Sequence, residues 1–325
     1  MRVDAAGGGT DCPPYSVDHG GAVVNFAIQL HVQAALDILP DTRGVSIVSR
    51  DFDCVVHADS ILDLPIDGKL DLLKGIAMRM RPAWGFRLTV SSDVPPGSGL
   101  GSSGAVGVAV VGVFDAAMNN SRSPMDTAQL ANEIERKDLG YPGGDQDSYG
   151  PALGGFNLLT SLPGGGTEVR KLVLSEETLF DLEKRTFLVY TGEPHFSGSI
   201  HQDIKDGYDR PGSPVLDAMH QLKRIGESCA LALEAGDLEA FGHLLDENWT
   251  YHQRLHTSCN CEQLQKFYHA LQDHVSGGKT CGAGGGGCIF FLARPGEESR
   301  VHKIAESLDG QVMPVKIDQE GLVIK

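Results

Sequence analysis

No stretch of this chain approaches the ~18 consecutive apolar residues that a membrane-spanning helix needs. Its start, MRVDAAGGGTD, has no apolar core of the signal-peptide kind. Basic charge is scarce too: 27 Lys and Arg stand against 43 Asp and Glu, a formal charge of −16. Nucleic acids and anionic membranes both demand a basic face, so neither is an expected partner. The cytoplasm is the expected compartment. A small anionic ligand in a locally positive pocket stays allowed.

Other frameworks are missing as well. The seven cysteines (Cys12, Cys54, Cys229, Cys259, Cys261, Cys281 and Cys288) are odd in number and scattered. The pair Cys259-Asn260-Cys261 lacks the CxxC spacing of a zinc site or redox motif, so reduced, mostly structural thiols are expected. There is no Walker lysine loop, because SGGKT at 276–280 has Asp273 where the first glycine would stand. A GxGxxG fingerprint fails as well, since Gly97 and Gly99 are followed by Ser102. The chain has no internal repeat and no low-complexity tail.

Glycine is abundant instead, at 41 of 325 residues, where about 7% is usual. The glycines cluster at 7–9, 97–107, 140–155, 163–166 and 277–287, which points to specific loops rather than general flexibility. A chain of this length predicts two domains. The polar stretch PGGGTEVRKL suggests a division near 160–180, giving 1–170 and 171–325.

Residues 21–36 and 46–57 read as strands, as do 86–94, with Phe86, Leu88 and Val90 on one face. Residues 102–118 are apolar for about five turns and predict a buried helix whose small residues invite close packing. Ser123, Pro124 and Asp126 predict the capped start of a helix running to Gly140. A glycine-rich segment then leads to a short apolar strand. Further on, 186–191 reads as a strand and 213–235, 237–254 and 261–275 as helices. A glycine loop at 277–287, a strand CIFFLA, a helix near 296–308 and strands near 311–316 and 321–324 complete the chain. The pattern is that of a two-domain α+β or α/β protein.

Four stretches carry chemistry. In PPGSGLGSSGAV, a strand enters Gly97–Gly104 and an apolar helix leaves it. The free N–H groups of a helix start suit a phosphate, and serine hydroxyls suit phosphate or magnesium. The same residues also suit a turn that packs a helix onto a sheet. In Gly143-Gly144-Asp145-Gln146-Asp147, close carboxylates after a helix bearing Glu133 and Glu135 suit metal or general-base work, or a solvated acidic turn. Gly7-Gly8-Gly9-Thr10-Asp11 suits either a loop aiming a carboxylate at ligand hydroxyls or a tight Asx-type turn. Gly284–Gly287 is too glycine-rich for a simple turn and suits close approach to a ligand or another loop, or a mobile loop.

Taken together, RVDAAGGGTD, PPGSGLGSSGA and KTCGAGGGGC, in that order, resemble the three motifs of the galactokinase/homoserine kinase/mevalonate kinase/phosphomevalonate kinase (GHMP) superfamily. The segment ERKDLGYPGGDQDSYGPALGGFN resembles the region of these kinases that carries a metal-ligating acid and a catalytic aspartate. Within the family, GGGTDCPPYSVDHGGAVVNFAI, YTGEPHFSG and GGFNLL resemble the branch of heptose-7-phosphate 1-kinases and L-fucokinases. The resemblance implies an α+β fold. An N-terminal ATP-binding domain would be like ribosomal protein S5 domain 2, a C-terminal domain ferredoxin-like, and the active site would lie in the cleft between them. It also implies ATP and Mg²⁺, and phosphorylation of the anomeric hydroxyl of a sugar or sugar phosphate. D-glycero-D-manno-heptose 7-phosphate leads, L-fucose or another free sugar is the alternative, and a non-catalytic sugar and nucleotide sensor is the rival of another class. The presence of Asp147 and of the phosphate loop speaks against that sensor. GGGTD speaks for a polyhydroxylated substrate over an alcohol such as mevalonate.

The same resemblance assigns residues. Asp147 is implied as the catalytic aspartate and Arg2, nine positions before Asp11, as the catalytic arginine. Pro96, Gly97, Ser98, Gly99, Leu100, Gly101, Ser102 and Ser103 are implied to bind the ATP phosphates. Ser103 and Glu135 would hold Mg²⁺. Asp11, with Thr10, Gly9, Gly144 and Gly285, would bind the substrate. Two departures stand out. Galactokinases carry Glu at the position of Gly8, which argues against galactose. Family members also have several residues before the arginine, whereas here only Met1 precedes Arg2, so the first strand is short or the start truncated. An ordinary aspartate, with pKa about 3.9, is a weak base for an alcohol. Asp147 is therefore expected to act by orientation and late proton acceptance. Lys205, Arg210 and Arg254 are the cations available for a phosphate on the substrate; sequence does not place them.

Overall fold

The computed structural model describes residues 1–193 and 197–325. Pro194, His195 and Phe196, the middle of the YTGEPHFSG motif, lie outside the described residues.

The chain opens with β1 (Arg2–Ala6), a short helix α1 (Tyr15–His19) and β2 (Gly21–Ala27). The run 21–36, expected as one strand, is broken after Ala27 and resumes as β3 (Val32–Leu39) in a different sheet. β2 is buried along its whole length, whereas β3 alternates. One continuous strand would have needed a single burial period, and the sequence has two. The run 46–57 likewise splits into β4 (Val45–Ser49) and β5 (Cys54–Ala58), a hairpin turning at Arg50–Asp53. Next come α2 (Asp71–Met80), unanticipated, and β6 (Gly85–Ser92), whose Phe86, Leu88 and Val90 face the core as expected.

The predicted buried helix is α3 (Ser102–Met118). The predicted capped helix is α4 (Pro124–Glu133), where Ser123 and Asp126 form the reciprocal capping box. It continues as one widened π turn over Ile134–Asp138. The acidic segment after it is no loop: it starts a helix, α5 (Gln146–Leu153), hidden in sequence by Gly150 and Pro151. β7 (Phe156–Ser161) and β8 (Thr167–Leu172) form a hairpin, so the polar stretch 163–172 is a turn and a strand. Beyond it lie α6 (Glu176–Arg185), β9 (Thr186–Tyr190), α7 (Ser197–Tyr208), α8 (Val215–Ala235), α9 (Leu238–His252) and α10 (Glu262–Leu271). β10 (Val275–Thr280) occupies part of the expected glycine loop, because Gly277 and Gly278 lie tightly against α9 and Phe291. β11 (Cys288–Ala293), α11 (Glu298–Ser307) and β12 (Gln311–Pro314) follow. Residues 321–324, expected as a strand, instead pack irregularly against α3 and α5.

Among the described residues three four-stranded sheets result: β1-β2-β7-β8, β3-β6-β4-β5 and β10-β11-β9-β12. All neighbours are antiparallel except β4 and β6. One apolar core runs from the first sheet (Val3, Phe26, Phe156) through α8 and α9 (Ile225, Phe241) into the third (Leu188, Phe290). A second joins the β3-containing sheet to α2, α3 and α4. The C-terminal segment crosses back over the first sheet. Asp318 N–H donates to Ala27, and Gln29 N–H to Lys316. This architecture leaves the start of α3, the start of α5, the 7–11 loop and the 281–287 loop around one cleft of about 940 Å³.

Candidate active site

The phosphate loop is shaped by its backbone. Gly97, Gly99 and Gly101 adopt φ of 78°, 81° and 69°, a left-handed conformation that side chains resist. Gly101 is the N-cap of α3 and supplies no capping side chain, so the first-turn N–H groups are left for a ligand. Gly104, one turn in, packs on the backbone of Asp147, and any Cβ there would overlap its carbonyl. The start of α5 is thereby pressed against the start of α3, and the Asp147 carboxylate arrives beside the phosphate loop.

Arg2 completes the junction. Its Nε and Nη2 both donate to Asp147 Oδ1, at 2.9 and 2.6 Å. Its Nη1 donates to the carbonyls of Gly99 (2.6 Å) and Cys281 (2.7 Å). On the other side Arg136 Nη2 stands 3.7 Å from Asp147 Oδ2 and 3.9 Å from Glu135 Oε2, and it donates to the Gly144 carbonyl at 2.9 Å. Burial pushes the Asp147 carboxyl up, but Arg2 and Arg136 outweigh it and hold it below the usual carboxylate range. Asp147 is thus an ionised acceptor. Glu135 is moved the other way, above its usual range. Burial dominates and Asp147 adds to it, while Arg136 and a hydrogen bond with Ser103 oppose.

Asp11 accepts from the N–H of Gln146 (3.1 Å) and of Gly9 (3.3 Å). Burial, aided by the charges of Asp145 and Asp147, raises its pKa to about 7 against the pull of the Gln146 N–H. The 7–11 loop is therefore joined to the start of α5, and Asp11 and Asp147 face one space.

Most of the expected residues meet there. Arg2, Gly9, Asp11, Pro96, Gly97 and Gly99 line the cleft, and so do Gly101, Ser102, Ser103, Glu135, Gly144 and Asp147. Four do not. Thr10 is buried, its hydroxyl donating to the Gly7 carbonyl within the loop and accepting from Ala22 N–H of β2. Ser98 and Leu100 are buried beneath the phosphate loop, where their carbonyls receive Cys288 N–H and Arg2 N–H. Gly285 packs against Ser258, and it is Gly282 and Ala283 of the same loop that reach the cleft. Lys205 lies on a second cavity of about 960 Å³ that opens off Asp11 and Cys12. Arg210 and Arg254 line neither cavity.

Sequence reasoning missed Arg136 and His201. Arg136 sits in the charged string ERKD and looks like a solvated face; the π turn rotates it inward with Glu135. His201 of α7 lines both cavities and its charge acts on Asp147. Only its place on the two cavities, invisible in sequence, marks it.

Comparison with known proteins agrees with this geometry. Residues 71–155 match the model for the GHMP kinases N terminal domain, and 229–312 that for the GHMP kinases C terminal. The chain is 31% identical to the D-glycero-alpha-D-manno-heptose 7-phosphate kinase of Campylobacter jejuni, over 99% of this chain and 96% of that one. The chain is a GHMP kinase. It is 28% identical to the bifunctional fucokinase/GDP-fucose pyrophosphorylase of Arabidopsis thaliana, over 92% of this kinase and 30% of that protein. Among solved structures, a D-glycero-D-manno-heptose 1-phosphate kinase from Bacteroides thetaiotaomicron matches with a TM-score of 0.81 and 30% identity, covering 99% of this kinase and 95% of that chain. The two-domain mixed α/β fold and ATP-dependent kinase chemistry follow from that membership. Among the described residues no helix is long and apolar enough to cross a membrane.

Proposed function

We propose that this kinase transfers the γ-phosphoryl group of ATP to the anomeric hydroxyl of a sugar phosphate, with D-glycero-D-manno-heptose 7-phosphate as the leading substrate. The observation that carries the reading is the Asp147 carboxylate held between Arg2 and Arg136 at the start of α3, with Asp11 on the same cleft. Phosphoryl transfer needs positioning and charge stabilisation more than covalent chemistry. In this reading the amides of 97–104 hold the phosphates, and Asp147 aligns the sugar hydroxyl and takes its proton late. Arg2 keeps Asp147 ionised and offsets charge on the transferring group. Asp11 accepts from sugar hydroxyls. Val90, Val94, Val106 and Leu73 give the other end of the cleft an apolar wall suited to a nucleobase.

A magnesium ion fits the residues present. Glu135 and Ser103, both lining the cleft, offer hard oxygen donors beside the helix start. No group of three or more His, Cys, Asp or Glu among the described residues forms a cage of its own. Two protein oxygens plus phosphate oxygens and water are what Mg²⁺ ordinarily takes. When bound it supplies charge neutralisation on the phosphates.

The test is one panel. Purified kinase is given ATP and Mg²⁺ with heptose 7-phosphate, L-fucose, arabinose, galactose or mevalonate. ADP release is followed, and phosphorus NMR locates the new phosphate. Turnover of heptose 7-phosphate with phosphate at C1 is expected. Preference for fucose would move the assignment to the fucokinase-like alternative, and turnover of mevalonate alone would overturn it. The sensor reading would require nucleotide and sugar binding with no ADP release.

A further inference from the structure

The cleft contains a polar patch that phosphoryl transfer leaves unused. Asp4 of β1 and His252 of α9 both line it, yet they are only 1% and 2% exposed. Asp4 Oδ2 pairs with Lys279 Nζ at 3.1 Å. The same ammonium donates to the carbonyls of Asp4 (2.7 Å) and Thr280 (2.6 Å). Asp4 Oδ1 has no hydrogen-bond partner among the described residues. The Asp4 carboxylate also fills the space where a side chain on Gly8 would begin, so the GGGTD loop is built against it.

His252 Nε2 lies 3.0 Å from the Ala283 carbonyl oxygen. A carbonyl only accepts, so Nε2 carries the hydrogen, and in the neutral ring Nδ1 is then an acceptor. Burial, aided by Lys279, keeps the imidazole below its usual pKa despite the Ala283 bond and the Asp4 charge. Nδ1, like Asp4 Oδ1, has no partner among the described residues. Two buried acceptors on residues that line the cleft therefore have nothing to accept from among the described residues, a costly arrangement unless a ligand supplies donors.

We infer that Asp4 and His252 are specificity-determining residues that accept hydrogen bonds from two hydroxyl groups of the sugar. A phosphate offers acceptors and negative charge to this patch and is rejected by it. The substrate thus enters here with a neutral polyhydroxylated face, and any phosphate it carries lies elsewhere. This inference rests on the sugar-kinase reading above.

His252→Gln is the main test, because its amide nitrogen keeps a donor for Ala283 while Nδ1 is deleted. Asp4→Asn is the second variant; it also strips the counter-charge from buried Lys279, so its thermal melt is measured beside its kinetics. Wild type and variants are assayed with the panel sugar turned over fastest and with its singly deoxygenated forms. Loss of one hydroxyl should cost the wild type about 10- to 100-fold in kcat/KM. It should cost His252→Gln no more than about twofold, with the KM for ATP unchanged. Equal penalties in wild type and His252→Gln for every analogue would overturn the inference. A wild type that turns over no sugar would instead overturn the sugar-kinase reading.

Discussion

Arg2 places two donors on a single oxygen of Asp147, at 2.9 and 2.6 Å, and leaves Asp147 Oδ2 facing Arg136 at 3.7 Å. The carboxylate is gripped on one oxygen and approached on the other, which fixes its orientation before a substrate arrives. Asp147→Asn should lower kcat by roughly 10²–10⁴ with folding intact. Steady-state turnover beside a thermal melt checks this, and near-wild-type turnover would remove Asp147 from the reaction.

Ser103, at the start of α3, stands close enough to Glu135 to favour its ionised carboxylate. Ser103→Ala should raise the Mg²⁺ concentration needed for half-maximal rate more than it raises the sugar KM. A magnesium titration at saturating sugar measures it. An unchanged magnesium dependence would count against the ligand role.

Asp11 titrates near 7 because burial opposes its charge. As a sugar-hydroxyl acceptor it works ionised, so kcat/KM for sugar should rise with pH through about 7, and Asp11→Asn should flatten that limb. Stability runs the other way. The folded pKa lies above the unfolded value of about 3.9, so the folded state binds more protons between the two. Stability from this group is full below the lower value and is lost as pH rises through the upper. Asp11→Asn should therefore raise the Tm at pH 8 and leave it nearly unchanged at pH 4.

Arg136 depresses both acids beside it, Glu135 and Asp147. Arg136→Gln should let both carboxyls rise and move the acid limb of the kcat profile to higher pH. An acid limb in the same place as in the wild type would show that Arg2 alone keeps Asp147 ionised.

Gly104 abuts the backbone of Asp147 with no room for a Cβ. Gly104→Ala should destabilise the fold by about 1–3 kcal/mol, as overpacking does. It should also lower turnover by moving Asp147 away from the phosphate loop. Urea unfolding and kcat on the same sample separate the two effects.

The glycine loop and the capped helix beside the cleft were legible because their devices are local, whereas Asp147 and Arg2 were named only through the family resemblance. Gly97, Gly99 and Gly101 mark a loop that needs positive φ, and Ser123 with Pro124 marks a helix start. Where tertiary packing overrides propensity, sequence misled. Gly150 and Pro151 disguise α5, which places Asp147 in a helix rather than a loop. Gly277 and Gly278 disguise β10, a strand whose glycines let α9 approach. The break between β2 and β3 leaves no turn residue to announce it. Arg136 stood next to an expected ligand in a charged string, and only the π turn distinguishes it from its solvated neighbours. Asp4 and His252 are 248 positions apart in sequence, and nothing short of the fold relates them.

One guanidinium also ties the two ends of the chain together. Arg2, in the first strand, is held by Asp147 and by the carbonyls of Gly99 and Cys281, so its contacts come from a helix and two loops spread over most of the chain. The Cys281 carbonyl stands 279 positions along the chain from Arg2, so the full set of contacts closes only once the C-terminal half has docked. A C-terminally clipped chain would lose the Cys281 contact and leave Arg2 to Asp147 and Gly99 alone.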